Sequence, residues 1–225
     1  MTRARIAAGA RSSTTGSAHS EALLEEAVAE LKRKDRVLGR AMESVGPCLL
    51  ALEKTRSPYE SLARAIVYQQ LTGKAAGTIF ERFKARFQSS SCPTAEAVAR
   101  ASEEDLRSCG LSRAKIRALK DLAEKTARKE IPGFARMSGL SDQEIIEIAS
   151  SVRGVGVWTA QMFLIFRLGR LDVMPSTDYG VRKGYSRVFL KERRLPEPSE
   201  IDERGERWRP YRSIASWYLW RVLDI

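Results

Sequence analysis

The chain is predicted to be all-α. Three observations carry that expectation. Apolar residues recur at helical spacing from Glu21 to the C-terminus. Serines and threonines stand where helix N-caps are needed. No stretch sustains the period-two alternation of a half-buried strand. No repeat array is visible, and the spacing predicts about ten helices.

Leu23, Leu24, Val28 and Leu31 form the first apolar face. Tyr59, Leu62, Ala63, Ile66 and Val67 form the next, and Ile79, Phe80 and Phe83 a third. Ser102 opens a short helix with an acidic first turn that ends near Gly110. Ser112 is placed to cap the following one, which turns Ile116, Leu119 and Leu122 inward. Ser141-Asp142-Gln143-Glu144 reads as a capping box, so a helix starts there and carries Ile145, Ile146 and Ile148 to the core. Residues 157–168 form its partner across Gly154-Val155-Gly156, which puts a helix-hairpin-helix at about 141–168. Ser176 and Thr177 are placed to cap a helix from about Asp178 to Leu190. Pro196 and Pro198 mark a loop. The last helix holds Ile214, Trp217, Leu219, Trp220 and Leu223. Residues 1–20 are basic, rich in Ser and Thr, and free of acidic residues. They are expected to be a disordered tail, although the same composition fits an organelle transit peptide. Residues 21–225 are assigned to the helical domain.

Composition narrows the function classes. The chain has 225 residues, and 39 Lys+Arg against 28 Asp+Glu give a net charge of +11 and a pI near 9.9. That balance favours a polyanionic partner, most simply nucleic acid. No apolar run approaches the roughly 20 residues needed to span a bilayer, so no membrane partner is expected. Cys48, Cys92 and Cys109 make no Cys-x-x-Cys pair, which argues against a disulfide framework or a zinc site and for a reducing compartment. His19 is the only histidine and lies in the tail, so histidine acid–base chemistry is not expected.

Gly154 can end a helix at positive φ, because it has no Cβ to collide with its own backbone. Gly156 lets another backbone approach closely. The next helix starts at once, so its unpaired N–H groups point out of the turn toward a phosphate. Val155, at the tip, is placed to touch a sugar or groove wall. An ordinary interhelix connection is the plain alternative. The order of parts favours phosphate: helix, turn, helix, loop, and then a carboxylate, Asp178.

Four stretches carry a family resemblance. They are Ala65-Ile-Val-Tyr-Gln-Gln-Leu-Thr-Gly-Lys-Ala-Ala76, Gly110-Leu-Ser-Arg-Ala-Lys115, Gly154-Val-Gly-Val-Trp-Thr-Ala160 with Asp172-Val-Met-Pro-Ser-Thr-Asp178-Tyr, and Trp208-Arg-Pro-Tyr-Arg-Ser213 through Trp220. Over roughly residues 45–224 the chain resembles the helix-hairpin-helix (HhH-GPD) DNA glycosylases, and within them the 3-methyladenine DNA glycosylase II branch. The resemblance implies a two-lobe helical fold with its active site in the cleft between lobes. It also implies an enzyme that flips an alkylated purine out of double-stranded DNA and hydrolyses its N-glycosidic bond, leaving an abasic site. Asp178 matches the catalytic aspartate, whose carboxylate stabilises the developing sugar cation and orients or deprotonates water. Asp172, the rival carboxylate, matches a structural loop residue. Branches with lyase activity carry Lys where this chain has Trp158; an indole forms no Schiff base, so no strand nicking is expected. Trp158 and Trp220 match aromatics of the base pocket, and Tyr68 is a further candidate. At Met162, also assigned to the pocket, some relatives carry an aromatic. Leu71 matches the apolar wedge that fills the gap left by the flipped nucleotide, while a buried interhelix leucine is the alternative. Gln70 is placed to touch the orphaned partner base. Arg182 and Lys183 follow Asp178 by one turn as phosphate candidates, with Lys74, Arg113 and Lys115 near other interhelix turns. No cofactor is expected: no cysteine follows Cys109, so an iron–sulfur cluster has no ligand set there. A structural monovalent cation at the hairpin stays open. The implied protein works as a monomer, in a bacterial cytoplasm or nucleoid or in a eukaryotic nucleus or organelle. A non-catalytic DNA-binding protein using the same hairpin, or a glycosylase for other damaged bases, are the alternatives.

Overall fold

A computed structural model describes residues 14–191 and 193–225, with side chains from Glu21 onward. Among the described residues there is no strand. The helices, in order, are α1 (Thr14–Lys34), α2 (Arg36–Val45), α3 (Pro58–Tyr68), α4 (Gly73–Arg86), α5 (Ala95–Arg100), α6 (Glu103–Ser108) and α7 (Arg113–Ala127). They continue with α8 (Phe134–Met137), α9 (Asp142–Ser150), α10 (Val157–Phe166), α11 (Tyr179–Phe189), α12 (Pro198–Gly205) and α13 (Arg212–Arg221), with a 3-10 turn at Glu206–Trp208. No helix is long and apolar enough to cross a membrane, among the residues described.

The local signals act where the sequence places them. Ser102, Ser112 and Ser141 each accept a hydrogen bond from the N–H three residues on, and Glu144 completes the box at Ser141. Three expectations need correction. Helix α1 begins at Thr14, inside the stretch expected to be disordered. Once the packed turns around Ala27 and Leu31 supply a nucleus, each added residue gains a backbone bond. Residues 1–13, where the transit-peptide reading mainly rests, and the side chain of His19 lie outside the described residues. Second, α11 is capped by Asp178 itself, not by Ser176 or Thr177; Ser176 Oγ instead bonds Asp202 Oδ2 at 3.1 Å. Third, Pro198 does not lie in a loop. It is the first residue of α12, where its missing N–H has no helical partner to lose.

The chain divides into two compact units. The first comprises Glu53–Phe163. In it α7 packs against α3 and α5, and α4 against α3. Leu62, Ile66, Phe83, Leu106, Ile116, Leu119 and Leu122 fill its interior. The second comprises Leu164–Ile225 with the described part of the segment ending at Leu52. Its core gathers Leu31, Leu38, Met42, Val181, Tyr185, Trp208, Ile214, Tyr218 and Leu219. Within the α1 face, Ala27 and Leu31 are buried and Leu23 is exposed. Helices α11 and α13 meet at Gly184, where a Cβ would fall 1.8 Å from the Leu219 carbonyl oxygen. Buried Asp35 caps α2 and accepts from Arg204 Nε (2.9 Å) and Trp208 Nε1 (3.2 Å). Burial acts to raise its pKa, but the Arg204, Leu38 and Trp208 hydrogen bonds outweigh it and leave the carboxyl below its ordinary range.

Candidate active site

The hairpin belongs to the Glu53–Phe163 unit. Gly154 takes φ +76° as the third residue of the turn that the Val155 N–H closes onto the Val152 carbonyl, a position that favours glycine. The turn is held onto α7 and α3. A Cβ at Gly154 would lie 3.6 Å from Ala118 Cβ, and the Arg153 N–H donates to Asp121 Oδ2 at 2.7 Å. Gln69 Nε2 donates to the Gly154 carbonyl at 3.0 Å. Gln69 and Asp121 escaped the sequence reading, since no local pattern links residues 85 and 32 positions apart. Helix α10 follows directly on Gly156, which has no side chain to cap it. A Cβ there would meet nothing within 4 Å. Its glycine is therefore not demanded by packing within the protein, and the exposed first turn is open to a close approach from outside.

Val155 does not sit at an exposed tip. It is 4% exposed, while Val157 and Trp158 face outward at 53% and 45%. Gly154 reverses the chain direction, so the next side chain turns into the core and the following helix presents its first two apolar residues instead. Val155 contributes to the hairpin through burial, not through contact at its tip.

The turn between α3 and α4 holds Gln70 in the left-handed region at φ +55°, with its side chain exposed. Leu71 is half-buried, and Thr72 Oγ1 caps α4 by accepting from the Ala75 N–H at 3.3 Å. Lys115 does not reach outward. Its Nζ donates to the Val67 and Gln69 carbonyls at 2.6 and 2.9 Å, satisfying the end of α3, and burial lowers its pKa. Lys74 and Arg113 remain exposed. Tyr68 has one ring face covered by the Arg64 guanidinium, 4.3 Å from its centroid, and lies edge-on to Phe80. That face is unavailable for stacking on a base. Met162 is half-buried.

Asp178 belongs to the other unit, together with Trp220. Its Oδ1 accepts from the Val181 N–H and from Trp220 Nε1, each at 2.7 Å. The Trp220 ring is stacked on Phe166, centroids 5.7 Å apart. Tyr179, at the first position of α11, is 67% exposed. The sequence reading missed it, although an aromatic directly after the candidate carboxylate was its signal. Asp172 is tied to Arg212 (Nε–Oδ1 2.7 Å, Nη2–Oδ2 3.0 Å) and to Arg209 (2.7 Å). Ser213 Oγ accepts from the Val173 N–H and donates to the Arg170 carbonyl. The loop leading to Asp178 is thereby stapled to the start of α13. Arg182 Nε donates to the Pro196 carbonyl at 2.9 Å, so that guanidinium also braces a loop, whereas Lys183 is exposed. Among the described residues no group of three or more His, Cys, Asp and Glu is placed to hold a metal ion.

Each unit offers its own chemistry: in the first an exposed helix start that follows a glycine, suited to an anion, and in the second an oriented carboxylate, suited to a developing cation. Similarity to known proteins follows the same segments. Residues 63–210 match the family described as HhH-GPD superfamily base excision DNA repair protein. The DNA-3-methyladenine glycosylase 1 of Schizosaccharomyces pombe is 40% identical over 172 residues, covering 76% of this chain and 75% of that protein. A solved structure of the 3-methyladenine DNA glycosylase Mag1 from the same yeast, in complex with abasic DNA, superposes with a TM-score of 0.79 at 37% identity. It covers 89% of this chain and 97% of that one. A DNA-3-methyladenine glycosidase from Bacillus halodurans gives a TM-score of 0.78 at 30% identity, over 86% and 87% of the two chains. A match that spans the hairpin, the bracing loop and Asp178 together settles the family: the chain belongs to the HhH-GPD superfamily of base excision DNA repair proteins.

Proposed function

We propose that this protein is a monofunctional DNA glycosylase that removes alkylated purines of the 3-methyladenine and 7-methylguanine type from double-stranded DNA. The observation that carries the proposal is Asp178, a carboxylate fixed by two N–H donors at the head of α11. The bond between C1′ and the base nitrogen breaks, and its electron pair leaves with the base. A purine nucleotide alkylated at N3 or N7 already carries a positive charge on its base, so the base departs neutral and needs no general acid. Positive charge then builds on the sugar, where Asp178 stabilises it. A water oxygen bonds to C1′, and its proton passes by way of Asp178 to solvent. The products are an abasic site, the free base and one proton.

The names of the similar yeast and bacterial proteins support the substrate class, and the abasic DNA held by Mag1 supports DNA as partner. Gly154, Gly156 and the open first turn of α10 grip the phosphate backbone, with Lys183, Lys74 and Arg113 adding the salt-dependent part of binding. Trp158, exposed and incapable of a Schiff base, stacks on the extruded cationic base and leaves the strand intact. The chemistry needs no cofactor and no second subunit, and it belongs where DNA is kept, in a nucleoid, nucleus or DNA-bearing organelle. A cation at the hairpin would draw on turn carbonyls, of which Gly154 O already accepts from Gln69 and Gly156 O from the Ala160 N–H. No step is assigned to it.

The decisive experiment is chromatography of bases released from methylated duplex DNA. Wild type is expected to release 3-methyladenine or 7-methylguanine, with strand breaks appearing only after alkali. No release, or release unaffected by Asp178→Asn, overturns the proposal. Scission trapped by borohydride overturns the monofunctional part.

A further inference from the structure

We propose that Trp220 is a positioning residue for Asp178: its indole N–H, rather than its ring face, is the part the reaction uses. The inference rests on the glycosylase reading of Asp178. The Nε1–Oδ1 separation of 2.7 Å is at the short end for N–H···O, as expected of a donor facing a charged acceptor. The same oxygen takes the Val181 N–H. Two donors converging on that oxygen, one from the backbone and one from a separate helix, hold it in place from two directions, where the cap bond holds it from one.

Three further features of the unit are organised around this contact. Gly180 lies between the partners. A Cβ there would fall 2.8 Å from Trp220 Cδ1, 3.0 Å from Trp220 Nε1 and 3.0 Å from Asp178 Oδ1. Gly180 is not among the positive-φ glycines, so its backbone does not call for glycine. A helical glycine is destabilising against alanine, and its gain here is room for the indole beside the carboxylate. Phe166 stacks on the ring and opposes its rotation away from Asp178. The helix that carries Trp220 also begins with Arg212 and Ser213, which hold Asp172, Arg170 and Val173. One helix, α13, thus holds the loop at its start and the carboxylate at its end. A carboxylate that must face C1′ during bond breaking gains most when its orientation is set beforehand.

The test uses duplexes in which the damaged nucleotide is replaced by a sugar analogue with no base. One is neutral (tetrahydrofuran), the other an aza-sugar whose protonated nitrogen stands at C1′. A ring that only stacks on bases touches neither probe. Wild type is expected to bind the cationic duplex more tightly than the neutral one. Trp220→Phe, which keeps the stack on Phe166 but removes the N–H, is expected to lose roughly tenfold or more of that preference while neutral binding stays unchanged. Gly180→Ala, which pushes the pair apart and keeps both side chains, should lose it as well. Unchanged neutral binding reports a folded protein. Full preference retained in both variants overturns the inference and leaves the glycosylase reading standing. Equal losses for both duplexes also overturn it, because they mark a general DNA or packing contact. Absence of any preference in wild type overturns the reading of Asp178 itself.

Discussion

The starts of α10 and α11 are built to opposite electrical ends. Both helices expose N–H groups at a positive dipole end. Before α10 stands Gly156, with no side chain and open space where a Cβ would be, and the exposed first turn that follows is the place proposed for a negative visitor. Before α11 stands Asp178, whose Oδ1 closes on the Val181 N–H and turns the same kind of terminus into a fixed negative charge. The glycines differ in the same sense. Gly154 serves a backbone conformation, Gly156 an outside approach, Gly180 a neighbouring indole and Gly184 a helix crossing. One residue type thus answers four different physical demands, and only some of them are local.

The sharpest way to break this comparison is to remove the charge at α11 and keep its cap. Asn caps helices about as well as Asp, so Asp178→Asn should fold and bind DNA normally. Base release in single-turnover assays should fall on the order of 10²–10³-fold or more. A loss of DNA affinity to match would mean that the carboxylate serves the fold.

Gly184→Ala is the next largest effect. A Cβ 1.8 Å from the Leu219 carbonyl forces α11 and α13 apart, which should cost about 3 kcal/mol and lower the melting temperature by roughly 6–12 °C. The two hairpin glycines then separate by mechanism. Gly154→Ala, at φ +76°, should cost about 1–2 kcal/mol in a denaturant melt. Gly156→Ala should leave stability within about 0.5 kcal/mol yet weaken duplex binding, read by fluorescence anisotropy across a salt series. If both variants lose only stability, α10 is not an anion site.

The smallest predicted effect lies in the pH dependence. Asp35 is held below its ordinary range in the folded chain, so its contribution is complete above the unfolded value of about 3.8 and is lost as pH falls through the lower folded one. Asp35→Asn should flatten the acid limb of a stability–pH curve below about pH 4 and leave the Asp178 chemistry intact. An unchanged limb would show that Arg204 contributes nothing net there.

Much of the fold can be read from the chain because its signals are local. Ser102, Ser112 and Ser141 each cap a helix within three residues, and the apolar spacing of α3 and α7 buries the expected faces. Pro198 is ambiguous in the sequence because a proline that ends one element is chemically identical to one that begins another. Lys115 and Arg182 read as outward charges, since nothing near them in sequence announces the carbonyls they brace.

The sequence by itself determined the helical class, the position of the glycine turn, the basic charge that calls for a polyanion, and the candidacy of Asp178. The first three depend on composition or on residues within one or two helical turns, and the last on the family resemblance and on the hairpin that precedes it. Only the tertiary structure decided that Val155 turns inward, that Gln69 holds Gly154 from 85 residues away, and that Trp220 donates to Asp178 from 42 residues away. The physical reason is directional. A hydrogen bond forms within a few tenths of an ångström and a narrow range of angles, and such geometry between distant residues exists only once packed helices have fixed their relative places.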